Sequence, residues 1–213
     1  MAERNYFFID NDDCVRQRYC EFTWYGGFAL SQKQKCIASF HDSIRLQGKK
    51  NPLEVSTKST VELGRKLSAF NLKLNGIYLE NVFQSSKVFS EGGPYRDLLY
   101  VSPKEAKRDE RLRNSGRLTG FRYDDINWPL APRTVFYDWL YYNAVRECIS
   151  DEELKQLSAY DAFTDIEFNP EKSLNTQAEA AALVLLIYLR EGKLPVYTQR
   201  MFIAEHIYSI KRQ

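Results

Sequence analysis

Short apolar and polar blocks alternate at the start of the chain. Tyr6-Phe7-Phe8-Ile9, the polar break Asn11-Asp12-Asp13, and Glu21-Phe22-Thr23-Trp24-Tyr25 closed by Gly26-Gly27 predict strands joined by turns. Ile37, Phe40 and Ile44 recur at helical spacing, so Ser31 to Leu46 reads as a helix with Ser31 placed to cap it. After the loop Gly48-Lys49-Lys50-Asn51-Pro52, Leu53-Glu54-Val55 reads as a strand running into the turn Ser56-Thr57-Lys58-Ser59. Between Gly76 and Glu91-Gly92-Gly93-Pro94, the run Leu79 to Phe89 predicts a helix of about three turns. Leu79, Val82, Phe83, Ser86 and Phe89 fall on one side of it, and Glu80, Gln84 and Lys87 line another. Pro103 to Arg113 reads as one charged helix. Trp128-Pro129-Leu130-Ala131-Pro132 is a rigid loop, and Thr134 to Val145 is a helix with Phe136, Trp139, Leu140 and Ala144 at core spacing. A short helix over Leu154 to Tyr160 follows. Ala162 to Phe168 then alternates like a strand or strand exit, with Asp165 and Glu167 on its polar side before an Asn169-Pro170 turn. Ala178 to Leu189 is the most apolar segment and reads as a buried helix. Phe202 to Arg212 reads as an amphipathic end that docks on the body, with His206 a surface or helix residue rather than a catalyst.

This order of elements predicts an α+β fold, mostly helices around a small β-sheet, in a single compact domain. Residues 1–50 would elaborate a core at 53–190, and residues 200–213 would form the docking helix. The 213 residues can bury a sizeable core, and 14 Tyr with 13 Phe argue against disorder. A net charge of +2 gives no global basic field, so any anionic partner must meet a local patch. Lys33 with Lys35, Lys49 with Lys50, and Arg108 with Arg111 and Arg113 are the candidates, against the ordinary reading of solvated surface. The four cysteines form no CxxC pair and only two histidines are present, which predicts no metal and no cofactor. Neither a signal-like start nor a run of 18 apolar residues occurs, which predicts a cytoplasmic protein with reduced thiols and no membrane association. The absence of GxGxxG, P-loop, GxSxG and HExxH patterns removes weight from nicotinamide, P-loop, serine-hydrolase and zinc-protease chemistry.

What remains is carboxylate and lysine chemistry. The Glu80, Gln84, Lys87 stripe sets an acid, an amide and an amine on one helical face, which otherwise would be a solvated surface. The hydroxyl-dense turn with Ser56, Lys58 and Ser59 suits a phosphate, or is an ordinary strand exit. Phe70 could stack on a base and Asn71 read its edge, where a core Phe and a turn-forming Asn are the plainer alternatives. Arg117, beside Gly116, is placed to clamp a diphosphate.

The order Leu67-Ser68-Ala69-Phe70-Asn71, Leu79 to Lys87, Ala106-Lys107 and Gly116-Arg117 resembles the NADAR superfamily, named for its association with NAD and ADP-ribose. Ser68-Ala69-Phe70 departs from the family's Ser-Asn-Phe at its middle residue, and the later Trp-Gly after the Asp is missing. The longer strings Trp24 to Lys35, Glu54 to Ser59, Phe83 to Phe89, Tyr137 to Tyr141 and Phe163 to Pro170 are similar to a narrower branch. Its members are antitoxins paired with a toxin that ADP-ribosylates guanine in DNA. The resemblance implies a metal-independent glycohydrolase that strips ADP-ribose from guanine in single-stranded DNA.

On that reading Glu80 shuttles a proton, and Lys87, with Lys58 as competitor, protonates the leaving base or attacks the opened sugar. Asp165 orients the ribose hydroxyls or water, with Glu167 in reserve. Ser56, Ser59 and Arg117 hold the diphosphate, and Phe70, Trp24 and Trp128 stack on adenine or guanine. Two rival readings stand beside it: an N-glycosidase of riboflavin-pathway intermediates, and a non-catalytic antitoxin that binds the toxin or reads ADP-ribose.

Overall fold

A computed structural model describes residues 1–169 and 176–210; Pro170 of the expected Asn-Pro turn and the far end of the C-terminal helix, Arg212 included, lie outside them. The fold is α+β. The chain divides into two compact units, Met1–Ser68 with Ile149–Gln213, and Ala69–Cys148.

The first unit opens with strand β1 (Ala2–Ile9), which pairs antiparallel with β2 (Val15–Phe22) from Ala2↔Phe22 to Ile9↔Val15. The turn between them is held by Asp10, whose Oδ1 accepts the N–H groups of Asp12 at 3.0 Å and Cys14 at 2.9 Å. Helix α1 (Leu30–Leu46) lays Cys36, Ile37, Phe40 and Ile44 against Tyr6, Cys20 and Phe22, and the Phe22 and Phe40 rings stack at 4.7 Å. Its N-cap is Ala29, with no side-chain cap, so Ser31 lies inside the helix instead of starting it. Strand β3 (Pro52–Glu54) is fully buried, and helix α2 (Glu62–Lys66) follows the hydroxyl-rich turn. Gly64 is required there, because a Cβ at that position would run into the Glu54 carbonyl oxygen and the Ser59 hydroxyl.

The second unit begins with the hairpin of β4 (Lys73–Leu74) and β5 (Ile77–Tyr78), whose Asn75-Gly76 turn has φ of 52° and 78° at the two positions. Helix α3 (Leu79–Ser85) follows directly and is two turns long, not three. It ends because the Ser85 and Ser86 hydroxyls donate to the Val82 carbonyl at 3.0 and 2.7 Å, and the chain continues as strand β6 (Lys87–Phe89), which suits Val88 and Phe89. The charged run is likewise two helices, α4 (Pro103–Arg108) and α5 (Arg111–Asn114). Asp109 breaks it by turning its carboxylate onto the Arg111 N–H and guanidinium, both at 2.9 Å. Strands β7 (Leu118–Tyr123) and β8 (Ile126–Trp128) complete the sheet β6-β7-β8. Helix α6 (Val135–Cys148) closes the unit with an aromatic core in which Phe136 meets Phe121 at 4.7 Å and Trp128 at 5.5 Å.

The chain then returns to the first unit through helix α7 (Asp151–Leu157), opened by a capping box between Ser150 and Glu153, and strand β9 (Ala162–Thr164). That strand runs parallel to β3 and antiparallel to β1, giving the order β2-β1-β9-β3. The expected buried helix is α8 (Gln177–Glu191), buried on all sides from Gln177 to Ile187. Helix α9 (Gln199–Ser209) buries Phe202, His206 and Ser209, so His206 belongs to the packing rather than the surface.

Candidate active site

In the second unit, backbone hydrogen bonds from Leu79 N–H to Leu72 O at 2.9 Å and from Glu80 N–H to Ala69 O at 3.3 Å hold the Ala69–Leu72 segment against the start of α3. Glu80 stands in the first turn of that helix, where a carboxylate is favoured, and is 5% exposed. Its Oε1 accepts a hydrogen bond from Gln84 Nε2 at 2.8 Å. Gln84 Oε1 in turn accepts from Lys87 Nζ at 2.7 Å. The amide is thereby fixed in one orientation, donating to the acid and accepting from the amine. Lys87 is the first residue of β6 and not a third helical turn, yet its flexible stem carries Nζ back to the helix and places it 4.8 Å from the centre of the Phe83 ring.

Burial pushes the Lys87 ammonium down to about 8, with the positive charge of Lys107 adding to the effect and Glu80 opposing it. Lys107 reaches from α4 to within 3.8 Å of Glu80 Oε1 and lies 5.1 Å over the Phe70 ring. Glu80, Gln84, Lys87 and Phe70 therefore converge. Asn81, 1% exposed, braces the helix from behind by donating to the carbonyls of Leu98 at 2.7 Å and Val101 at 2.8 Å.

The other expected residues of this unit fare differently. Trp128 is 2% exposed and packed in the core on Phe136 and Trp139. Arg117 is exposed, its backbone tied to Ser90 in both directions at 3.0 and 2.8 Å beside Gly116, whose φ is 78°. Asn71 is exposed.

In the first unit the hydroxyl-rich turn is built around Glu54, which is 2% exposed. Its Oε1 accepts from Ser56 Oγ at 2.6 Å and the Ile166 N–H at 2.9 Å, and its Oε2 accepts from Thr164 Oγ1 at 2.6 Å. Burial raises the Glu54 carboxyl above its usual range while these donors pull it back. Thr164 also meets His41 Nε2 at 2.9 Å, and burial holds that imidazole down at about 4. Ser56 accepts from the Lys58 N–H at 3.2 Å and Ser59 from the Val61 N–H at 3.2 Å. Both serines are buried and engaged inside the turn, and Lys58 is half-buried. Asp165 accepts from the Glu167 N–H at 3.1 Å, and Glu167 pairs with Lys33 at 3.0 Å, which in turn lies 5.0 Å over Trp24.

The family model described as DarT1-associated NADAR antitoxin matches residues 2–209, nearly the whole chain. The chain belongs to that family. No curated protein matches it. For a NADAR antitoxin associated with a DarT1 toxin, the residues of the second unit offer a buried acid, an amide and a desolvated amine in one hydrogen-bonded row. Among the described residues no group of three or more His, Cys, Asp and Glu could hold a metal ion, and no helix is long and apolar enough to cross a membrane. Two residues of this NADAR antitoxin escaped the reading of its sequence. Glu54 carried a signal, an acid flanked by Leu53 and Val55 in a buried strand; Lys107 carried one in the Ala106-Lys107 motif, though no role was assigned to it.

Proposed function

We propose that this antitoxin is a hydrolase that removes ADP-ribose from guanine bases in DNA, reversing the modification made by its toxin. The observation that carries the reading is the row Lys87, Gln84, Glu80, with hydrogen bonds of 2.7 and 2.8 Å. The bond to be cut joins the anomeric carbon of the distal ribose to the exocyclic nitrogen of guanine. Glu80 shuttles a proton onto the ribose ring oxygen as the ring opens to a protonated imine. The neutral Lys87 amine adds to the same carbon, the proton it sheds passes to the guanine nitrogen, and guanine leaves. Water then replaces the lysine, the sugar recloses, and both side chains return to their starting state. An amine titrating at about 8 is neutral in about one molecule in ten at pH 7, against about one in three thousand for an ordinary lysine. Lys107 supports this by keeping a second positive charge near the amine, and Phe70 beneath it offers a ring to a base.

Asp165 belongs to the other unit. Its proposed role, orienting ribose hydroxyls or water, rests on family membership, and Asp165→Asn tests it through kcat. The main experiment incubates the protein, Glu80→Gln and Lys87→Met with an oligonucleotide bearing ADP-ribosyl guanine and follows free ADP-ribose by mass. Release by the native protein, lowered at least about 100-fold in each variant, is expected. Borohydride should trap a sugar adduct on the native protein and none on Lys87→Met. No release by the native protein refutes the reading.

A further inference from the structure

At the end of the β1-β2 hairpin, one aromatic ring carries two cations. Lys49 Nζ lies 4.2 Å from the centre of the Phe8 ring, and Arg18 Cζ lies 5.4 Å from it. The strand register explains the second contact: Arg18 stands opposite Tyr6 and so shares a sheet face with Phe8, two residues along β1. The Tyr6 hydroxyl on the same face donates to Gln47 Oε1 at 3.0 Å.

Neither cation has an ion-pair partner among the described residues. The acids nearby are already engaged. Asp161 accepts the N–H groups of Lys50 at 2.7 Å and Asn51 at 2.8 Å, and Asp10 is held by Arg16 at 2.5 Å as well as by its own turn. Burial depresses the Lys49 ammonium, the Asp161 and Asp10 carboxylates oppose this from beyond ion-pair distance, and the charge of Arg18 adds to it, so two like charges share one ring with no ion pair to either. The neighbouring ring, Trp24, also carries two cations, Arg4 at 5.7 Å and Lys33 at 5.0 Å, but there Glu167 neutralises Lys33. At the Phe8 ring neither cation has such a contact among the described residues. A tetrahedral phosphodiester has oxygens to offer both donors at once, and an aromatic ring between them suits a strand whose bases are unpaired.

We propose that Phe8, Arg18 and Lys49 form a contact site for the sugar-phosphate backbone of single-stranded nucleic acid. The inference rests on the reading of the substrate as modified DNA and extends it from one nucleotide to a strand. Its test does not require turnover. Fluorescence anisotropy with an unmodified, labelled single-stranded DNA oligonucleotide measures affinity across a salt series for the native protein, Arg18→Gln, Lys49→Gln and the double variant. Two lost phosphate contacts should weaken binding by roughly tenfold at low salt and lower the slope of log affinity against log salt by about 1.4. Each single variant should give about half of that change in slope. Hydrolysis of the free ADP-ribosylated guanine nucleoside should keep its KM and kcat in all variants, since it has no strand to offer. Native-like circular dichroism confirms the fold of each variant. An unaltered salt slope, or no measurable binding by the native protein, overturns the proposal. Loss of DNA affinity in a protein that never releases ADP-ribose would uphold this site and refute the hydrolase.

Discussion

Replacing Lys87 by methionine should change how stability depends on pH. The native amine titrates near 8, whereas in the unfolded chain it takes its ordinary value of 10.5. Between these values the unfolded chain holds a proton that the native chain lacks, so native stability rises with pH. The penalty for burying the ammonium is fully present below pH 8 and gone above 10.5. At about 1.4 kcal/mol per pH unit, the whole window is worth about 3 kcal/mol. Methionine has nearly the same length and no charge, so the variant lacks this rise. Gln84 loses the donor that now binds its Oε1 at 2.7 Å, which costs about 1–3 kcal/mol. That cost is the same at every pH and displaces the curve without bending it. Urea unfolding of both proteins from pH 7 to about pH 10.5 measures the difference. A difference that stays flat would show that the amine is not depressed, and the neutral nucleophile would fall with it.

Four further outcomes are expected. Gln84→Leu removes both hydrogen bonds of the amide and should lower kcat by about 10- to 100-fold with little change in KM, measured by ADP-ribose release. Glu54→Leu leaves the Ser56 and Thr164 hydroxyls and the Ile166 N–H without their acceptor and should cost about 3 kcal/mol or more, read by denaturant unfolding. Gly64→Ala pushes a methyl into the Glu54 carbonyl and should cost about 1–3 kcal/mol, seen as a lower Tm. Asn81→Ala strands the buried Leu98 carbonyl and frees that of exposed Val101, and should cost about 1–3 kcal/mol, again by unfolding.

The long periodic segments were legible from sequence because burial of one face writes itself into spacing: Ile37, Phe40 and Ile44 on α1, and the unbroken apolar run of α8. The end of α3 was not, since helical spacing continues through Lys87, Val88 and Phe89 while two serine hydroxyls and the pairing of β6 with β7 decide otherwise. The acid, amide and amine still meet, because a lysine stem is long enough to forgive the error. Trp128 shows the opposite limit. An aromatic residue in a Trp-Pro loop looks available, and only tertiary packing reveals that it is core. Ser56 and Ser59 looked like ligands for the same reason that they are good turn residues, since a hydroxyl beside a backbone N–H serves both.

The second unit is one uninterrupted stretch of chain between two segments of the first, and its last residue is tied to its first strand: Cys148 Sγ is 3.2 Å from the Lys73 carbonyl oxygen and 3.4 Å from the Lys73 nitrogen, four residues after the unit begins at Ala69. A continuous segment that ties its own end back near its beginning can be exchanged with little strain on its host. Residues 69–148 are thus a natural cassette, and exchanging them between homologous antitoxins at this junction is a direct route to chimaeras that carry one parent's acid and amine on the other parent's frame.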